Sequence, residues 1–351
     1  MAYFDTYFSA TLAPTNNQKY YVANKEEVQA SRTFMRLEAE GTHLYSFLYA
    51  NQVASTFNHG EESYANRICA EWKILSLKAS ICKEKFTPGS FVPVTFEGNT
   101  EKTVHPGEIF STDPISLTAK KGDVLCLETV YMGEEIPYLH ETVLHSTRLT
   151  DGEWAPSIYT PRPVCIGCDR PVRNRVVFWG DSITEGLGTP VESYAGYAAV
   201  ASRLLGEENA YWNVGLGYGR GADAASGGLW LWEASRGDFV FLCFGVNDIL
   251  QGHTADEIKR NLTTAVKRLK AAGCRVCIQT VPPFDFTGEH YATWQSVNAY
   301  IAEELVPQTD FFFDNRSILC DKDGYHAKYG GHPNEEGCAA WGEGLSKAVT
   351  L

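Results

Sequence analysis

The sequence predicts an α/β chain in two parts: an antiparallel β-sandwich over residues 1–165, then, over residues 172–351, a parallel sheet sandwiched between helices. Two changes of pattern carry this. Short alternating stretches with regular turn punctuation fill the first part. Strands alternating with helical segments begin at Arg175, the signature of a helix-covered parallel sheet. The chain's 351 residues also exceed the size at which one hydrophobic core stops growing.

In the first part, Val92-Pro-Val-Thr-Phe96 alternates, turns are marked at Gly98-Asn99, Pro106-Gly107 and Lys121-Gly122, and Val124–Tyr131 reads as a long strand. Such spacing suits a jelly-roll-like sandwich. Pro161, Pro163, Gly167 and Pro171 punctuate the join. In the second part, strands are predicted at 175–180, 210–215, 239–245, 275–281 and 310–313, and helices at 192–206, 255–271, 291–305 and 335–349. Thr254, with Glu257 three residues on, is a capping box for the helix at 255.

Charge and composition exclude several classes. With 43 acidic against 30 basic residues the formal net charge is −13, and no basic cluster occurs, so neither nucleic acid nor an anionic membrane is an expected partner. A neutral or cationic small molecule fits better. No apolar stretch approaches the roughly 18 residues of a membrane span. The opening Met-Ala-Tyr-Phe-Asp-Thr-Tyr lacks a basic segment followed by an apolar run, which leads to an expectation of cytoplasmic location. The ten cysteines, diluted over a long chain, read as free thiols. Two C-x-x-C pairs, Cys165/Cys168 and Cys274/Cys277, have a zinc-like spacing. The second sits in a predicted strand, where neighbouring side chains point to opposite faces, so buried thiols are the better reading.

In an open α/β sheet, reactive groups collect at the carboxyl ends of the strands. Four such loops stand out. Val176–Trp179 runs into Gly180-Asp181-Ser182-Ile183-Thr184-Glu185-Gly186, placing a hydroxyl just past a strand. Trp212–Gly215 runs into Leu216-Gly-Tyr-Gly-Arg-Gly221, Phe239–Phe244 into Gly245-Val246-Asn247-Asp248, and the last loop holds Gly331-His332-Pro333-Asn334-Glu335-Glu336-Gly337. A serine hydroxyl is a poor nucleophile without a base, and a loop histidine suits that task.

These four blocks, in this order, resemble the SGNH (GDSL-type) hydrolase superfamily. The resemblance implies a flavodoxin-like three-layer catalytic domain and a serine esterase needing neither metal nor organic cofactor. Val94-Thr-Phe-Glu-Gly98, His105-Pro-Gly-Glu108 and Thr112-Asp-Pro-Ile115 further resemble the β-sandwich of two-domain bacterial, carbohydrate-esterase-like members. By residue-for-residue match Ser182 is the nucleophile and His332 the base. The oxyanion donors are the Ser182 N–H, a backbone N–H of the 217–219 loop and the Asn247 amide. Gly219 is preferred for the loop donor, with Gly217 left open. The family places an aspartate three residues before the histidine, and here that position is Tyr329. Either Asp323 reaches back, or a Ser–His dyad operates with a backbone carbonyl orienting His332. A third reading takes Asp323 and His326 as acid and base.

The resemblance implies a small-acyl, acetyl-type ester on a carbohydrate as substrate. The alternatives are a lysophospholipase or short-chain lipase, and a catalytically weakened carbohydrate-binding protein. Homo-oligomerisation through the N-terminal domain is a further possibility left open by the sequence.

Competing patterns weigh less. Gly217-x-Gly219-x-x-Ala222 follows a strand like a dinucleotide fingerprint, but Asp238 precedes the next strand instead of ending it. His140-Glu141 and His145 lack the four-residue spacing of a zinc-protease helix. Asp321-Lys-Asp-Gly324 lacks the later ligands of a calcium loop. Asp181 reads as an acceptor for loop amides and Asp248 as a helix cap. Trp179, Trp212, Trp230 and Trp232 read mainly as core, with one or two available to stack on a sugar near the cleft.

Overall fold

A computed structural model describes residues 3–15, 18–54, 57–58, 61–62, 66–138 and 143–351. The chain divides into two compact units, Met1–Val172 and Arg173–Leu351. The first is antiparallel and β-rich. One sheet runs Phe8–Ser9, Cys165–Cys168, Gly41–Ala50, Ile109–Ser111, with Ile115–Ala119 also on Gly41–Ala50. The second runs Thr87–Pro88, Trp72–Glu84, Val124–Gly133, Gln29–Arg36, Ser146–Thr150, Glu153–Pro156. Because Cys165–Cys168 is a full member of the first sheet, pairing with Leu48 to Tyr45, this unit runs past the proline-marked position 165. The predicted strand at 124–131 is central, bonded on both edges. His140 and Glu141 lie outside the described residues. His145 stacks on Phe86 with ring centroids 4.2 Å apart.

The second unit holds five parallel strands: β1 (Arg175–Gly180), β2 (Ala210–Asn213), β3 (Phe239–Cys243), β4 (Arg275–Gln279) and β5 (Phe311–Phe313), in spatial order β2-β1-β3-β4-β5. This is the flavodoxin-like order, which reverses direction between β1 and β3. Both strands are near-continuous apolar runs, as strands covered on both faces must be. The helices are α1 (Ser182–Glu185), α2 (Tyr197–Leu205), α3 (Gly221–Ser226), α4 (Gly228–Ala234), α5 (Val246–Leu250), α6 (Ala255–Ala271), α7 (Gly288–Tyr300), α8 (Arg316–Leu319) and α9 (Glu335–Lys347). α6 shows the cause most plainly: Ile258, Leu262, Ala265, Val266 and Leu269 form its buried stripe, and Thr254 with Glu257 closes the capping box.

Two expectations shift for physical reasons. α2 starts at 197, not 192, because Glu192 and Tyr194 have φ of 64° and 51°, outside the right-handed helical region. The glycine-rich segment after β2, where the sequence shows no helix, folds into α3 and α4. Gly227 and Gly228, both at positive φ, supply the corner between them. No helix among the described residues is long and apolar enough to cross a membrane.

α4 carries one misfit. Trp230 packs edge-on against Trp179 and Phe244 at 5.9 and 5.2 Å, but Glu233, on the same short helix, is 0% exposed. Neither of its oxygens has a hydrogen-bond partner among the described residues. Burial alone pushes its carboxyl well above the ordinary carboxylate range. A raised folded-state value means the stabilising contribution is complete below the unfolded-chain value of about 4.3 and is lost as pH rises through the folded value. Glu233→Leu should therefore stabilise the fold by on the order of 1–3 kcal/mol, seen as a raised thermal midpoint, with a larger gain at pH 8 than at pH 4. Melts of both proteins at the two pH values check this, and an equal or smaller gain at pH 8 would contradict it.

Candidate active site

The site lies at the β1/β3 switch point. Gly180 ends β1 where an added Cβ would come within 2.7 Å of the Cys243 carbonyl, so only glycine lets the chain turn here. Asp181 caps the next turn, its Oδ1 accepting the Ile183 N–H at 3.0 Å. It is thus an acceptor for loop amides, as its sequence position suggests. Ser182 is the first residue of α1, is 6% exposed, and its Oγ lies 2.9 Å from His332 Nε2. The two residues are 150 positions apart in sequence, and α9 with its preceding loop closes the gap. Asn334 caps α9 by accepting the Gly337 N–H at 3.0 Å, which fixes the loop that presents His332.

Packing holds the imidazole on one side and its backbone on the other. Phe284 meets it edge-to-face at 5.3 Å and 80°. Gly188, at φ 101°, lies so close that a Cβ there would approach the His332 and Pro333 carbonyls to 2.7 Å. Burial, with no charged neighbour contributing, shifts the His332 pKa below its ordinary value. The ring is therefore neutral at pH 7, the form that accepts a proton.

Among the described residues no acid stands behind the ring. Ser182 is the one hydrogen-bond partner of His332 among the described residues. Asp323 is exposed on a turn, its N–H bonded to Asp321 Oδ1 at 3.1 Å, so the expectation that it reaches back to His332 is corrected: the loop is closed on itself. Among the described residues no backbone carbonyl orients the ring either. Tyr329, at the position of the family's aspartate, accepts the Asn334 N–H at its carbonyl and carries Lys328 Nζ 4.6 Å from its ring centroid. His326 is tied to Asp285 at 3.4 Å, exposed, and has no contact with Ser182, which removes the Asp323–His326 alternative.

Asn247 sits at the start of α5 and is 9% exposed. Its Nδ2 donates to the Gly219 carbonyl at 3.0 Å, which engages one of two amide hydrogens. The Ser182 N–H has no partner among the described residues. The glycine loop differs from expectation. Gly217 N–H donates to Glu185 Oε2 and Gly219 N–H to the Leu216 carbonyl, both at 3.0 Å. Neither glycine presents an uncommitted donor, so the loop donor expected from Gly219 or Gly217 is corrected. The loop had to satisfy its own amides inside a buried corner. Gly219 serves instead through its carbonyl, which holds the Asn247 amide, and through its missing side chain, which admits the Trp230 ring.

The supporting residues were not singled out from sequence. Asn213 donates to the Thr184 carbonyl at 2.8 Å and accepts the Gly215 N–H at 2.9 Å, and Glu185 takes the Gly217 amide. Together they lace α1 to the glycine loop. The Asn213-Val-Gly215 spacing was the available signal. Asp248 is fully buried and accepts the Gly221 and Ala222 amides at 2.7 and 3.2 Å. It caps a helix as expected, but α3 and not its own. Of the four tryptophans, Trp179, Trp212 and Trp230 are core, while Trp232 is half-buried beside Arg236. All ten cysteines are free thiols.

Residues 178–340 match the model of the GDSL-like lipase/acylhydrolase family. No curated protein matches the sequence. Among solved structures, the chain is similar to a protein described as lipolytic and of the G-D-S-L family from Desulfitobacterium hafniense, at 18% identity, covering 50% of this chain and 98% of that one with a TM-score of 0.43. It is similar to Est24, a carbohydrate acetylesterase from Sinorhizobium meliloti, at 16% identity, 49% and 96% coverage and a TM-score of 0.40. A third is the M. smegmatis aryl esterase, at 17% identity, 49% and 96% coverage and a TM-score of 0.38. Residues 178–340 of the C-terminal unit thus form a GDSL-like lipase/acylhydrolase domain of the SGNH hydrolase type, which makes this unit an esterase or acylhydrolase.

Proposed function

We propose that the protein is a serine esterase that removes small acyl groups, acetyl above all, from a carbohydrate, with Ser182 as nucleophile and His332 as general base. The observation that carries this is the 2.9 Å approach of Ser182 Oγ to His332 Nε2, within reach for proton transfer. As Oγ attacks the ester carbonyl, Nε2 takes its proton. The carbonyl oxygen gains negative charge and is met by the Ser182 N–H and the free hydrogen of the Asn247 amide. The imidazolium returns its proton to the departing alcohol, leaving an acyl-enzyme on Ser182. Water, deprotonated by His332, then releases the acid. Among the described residues no acid stands behind His332; Phe284 meets its ring, and Gly188 lies against its backbone carbonyl.

The burial of Ser182 and Asn247, 6% and 9% exposed, supports a short acyl group over a long one. The net charge of −13 favours a neutral alcohol portion over an anionic one. The test is turnover of a nitrophenyl ester series from acetate to octanoate. A steep fall in kcat/KM beyond acetate is expected, roughly tenfold or more by butyrate given about 1–3 kcal/mol per misfitting methylene. A preference for octanoate would overturn the reading in favour of a lipase.

A further inference from the structure

At the carboxyl end of edge strand β5, away from Ser182, the same unit holds a groove of about 530 Å³ lined in part by Tyr291, Gln295, Asp314, Arg316 and Asp321. That volume is in the range of small-molecule sites. Its wall is aromatic and built. Tyr291 lies at 30° to Trp294 with centroids 5.8 Å apart, and Tyr325 meets Tyr291 edge-on at 5.5 Å. Buried Trp294 underpins the half-exposed Tyr291. Asp285, held at φ 50°, accepts the Ala327 N–H at 2.9 Å and contacts the His326 ring at 3.4 Å. It thereby pins the 321–327 turn against the loop after β4.

The polar groups of the groove are only partly engaged. Arg316 grips Asp314 through Nε and Nη2 at 2.8 and 2.7 Å, leaving the Nη1 hydrogens without a partner among the described residues. Asp321 Oδ1 takes the Asp323 and Gly324 amides, while Oδ2 stays open. Gln295 Nε2 donates to the Tyr291 hydroxyl at 2.6 Å. This leaves Gln295 Oε1 to accept and the Tyr291 hydroxyl hydrogen to donate. Donors and acceptors thus alternate along an aromatic wall, the pattern that suits hydroxyls, each of which both donates and accepts. Asp314 and Arg316 cancel in charge and Asp321 adds a negative one, which disfavours uronates and phosphates. The polar lining equally disfavours an acyl chain.

The groove is linked to the catalytic histidine by one loop. Phe284, on that loop, meets His332, and Phe286, two residues on, lies 6.4 Å from Trp294. From β1, which presents Ser182, to β5 is three strand spacings, roughly 14 Å. A single sugar ring does not bridge that distance, and a short oligosaccharide does.

We propose that this groove binds the sugar chain of the substrate, a neutral oligosaccharide with one ring lying on Tyr291 and its hydroxyls bonded to Arg316, Asp321 and Gln295, while an acylated unit further along the chain occupies the Ser182 site. The proposal rests on the carbohydrate-esterase reading but is tested by binding alone. Xylotetraose, mannotetraose, cellotetraose and tetragalacturonate are titrated calorimetrically into the full chain, its Tyr291→Ala, Tyr291→Phe and Arg316→Ala variants, with thermal melts to confirm folding. At least one neutral tetrasaccharide binds, its Kd weakens about tenfold or more in Tyr291→Ala and Arg316→Ala, Tyr291→Phe retains most of the affinity, and tetragalacturonate binds more weakly. Binding by no neutral tetrasaccharide, or equal binding by folded Tyr291→Ala and Arg316→Ala, overturns the groove. Nitrophenyl acetate turnover, measured on the same preparation, separates the two readings. Turnover without saccharide binding sinks the groove alone, and binding without turnover sinks the esterase mechanism alone.

Discussion

Ser182→Ala is expected to lower kcat/KM for nitrophenyl acetate by roughly four to six powers of ten, and His332→Ala by a comparable factor, while the double variant loses no more than either single one. In the proposed mechanism the two groups act as one device: the hydroxyl attacks only as the imidazole takes its proton, so removing either removes the step. Stability should not confound the measurement. The Ser182 side chain's hydrogen bond is to His332, the turn is capped by Asp181 and not by Ser182, and truncating one hydroxyl leaves the packing of α1 intact. The check is steady-state turnover alongside a thermal melt. Retention of more than about a tenth of wild-type turnover in folded Ser182→Ala would remove Ser182 as nucleophile.

The second large effect is at Asn247. Asn247→Ala should lower kcat by about 10²–10³-fold, or roughly 3–4 kcal/mol in the barrier, with KM little changed, as for loss of one oxyanion donor. Here the loss should sit at the upper end. Gly217 and Gly219 direct their N–H groups to Glu185 and Leu216, so those two amides do not share the burden. Asn247→Asp should be at least as damaging as alanine, because it replaces the donor by a charge that repels the oxyanion. A loss confined to KM in both variants would assign Asn247 to ground-state binding and refute the oxyanion role.

How far the sequence could be read varies with the range of the interaction responsible. The strands of the C-terminal unit, the capping box at Thr254, and the turns at Gly98 and Gly107 depend on local pattern, and the structure has them close to where the sequence places them. α3 and α4 escaped notice because glycines at 221, 227 and 228 weaken any helical signal, and packing of Trp230 outweighs that. The start of α2 was misplaced by five residues because the left-handed backbone at Glu192 and Tyr194 has no marker in the side chains.

By itself the sequence determined the α/β architecture and the order of the four loops, because strand periodicity and chain order put each loop at the same end of one sheet, and the family resemblance named Ser182 and His332, which the fold brings together. Only the tertiary structure decided what each group touches. It decided that Asp323 stays on its own turn, that both loop amides at 217 and 219 are engaged, that Phe284 meets the His332 ring, and that Glu233 is buried with no partner among the described residues. Those outcomes follow from competition among distant groups for a few buried partners. Every polar atom enclosed there takes the nearest partner that packing leaves within reach, and no local stretch of sequence encodes which one that is.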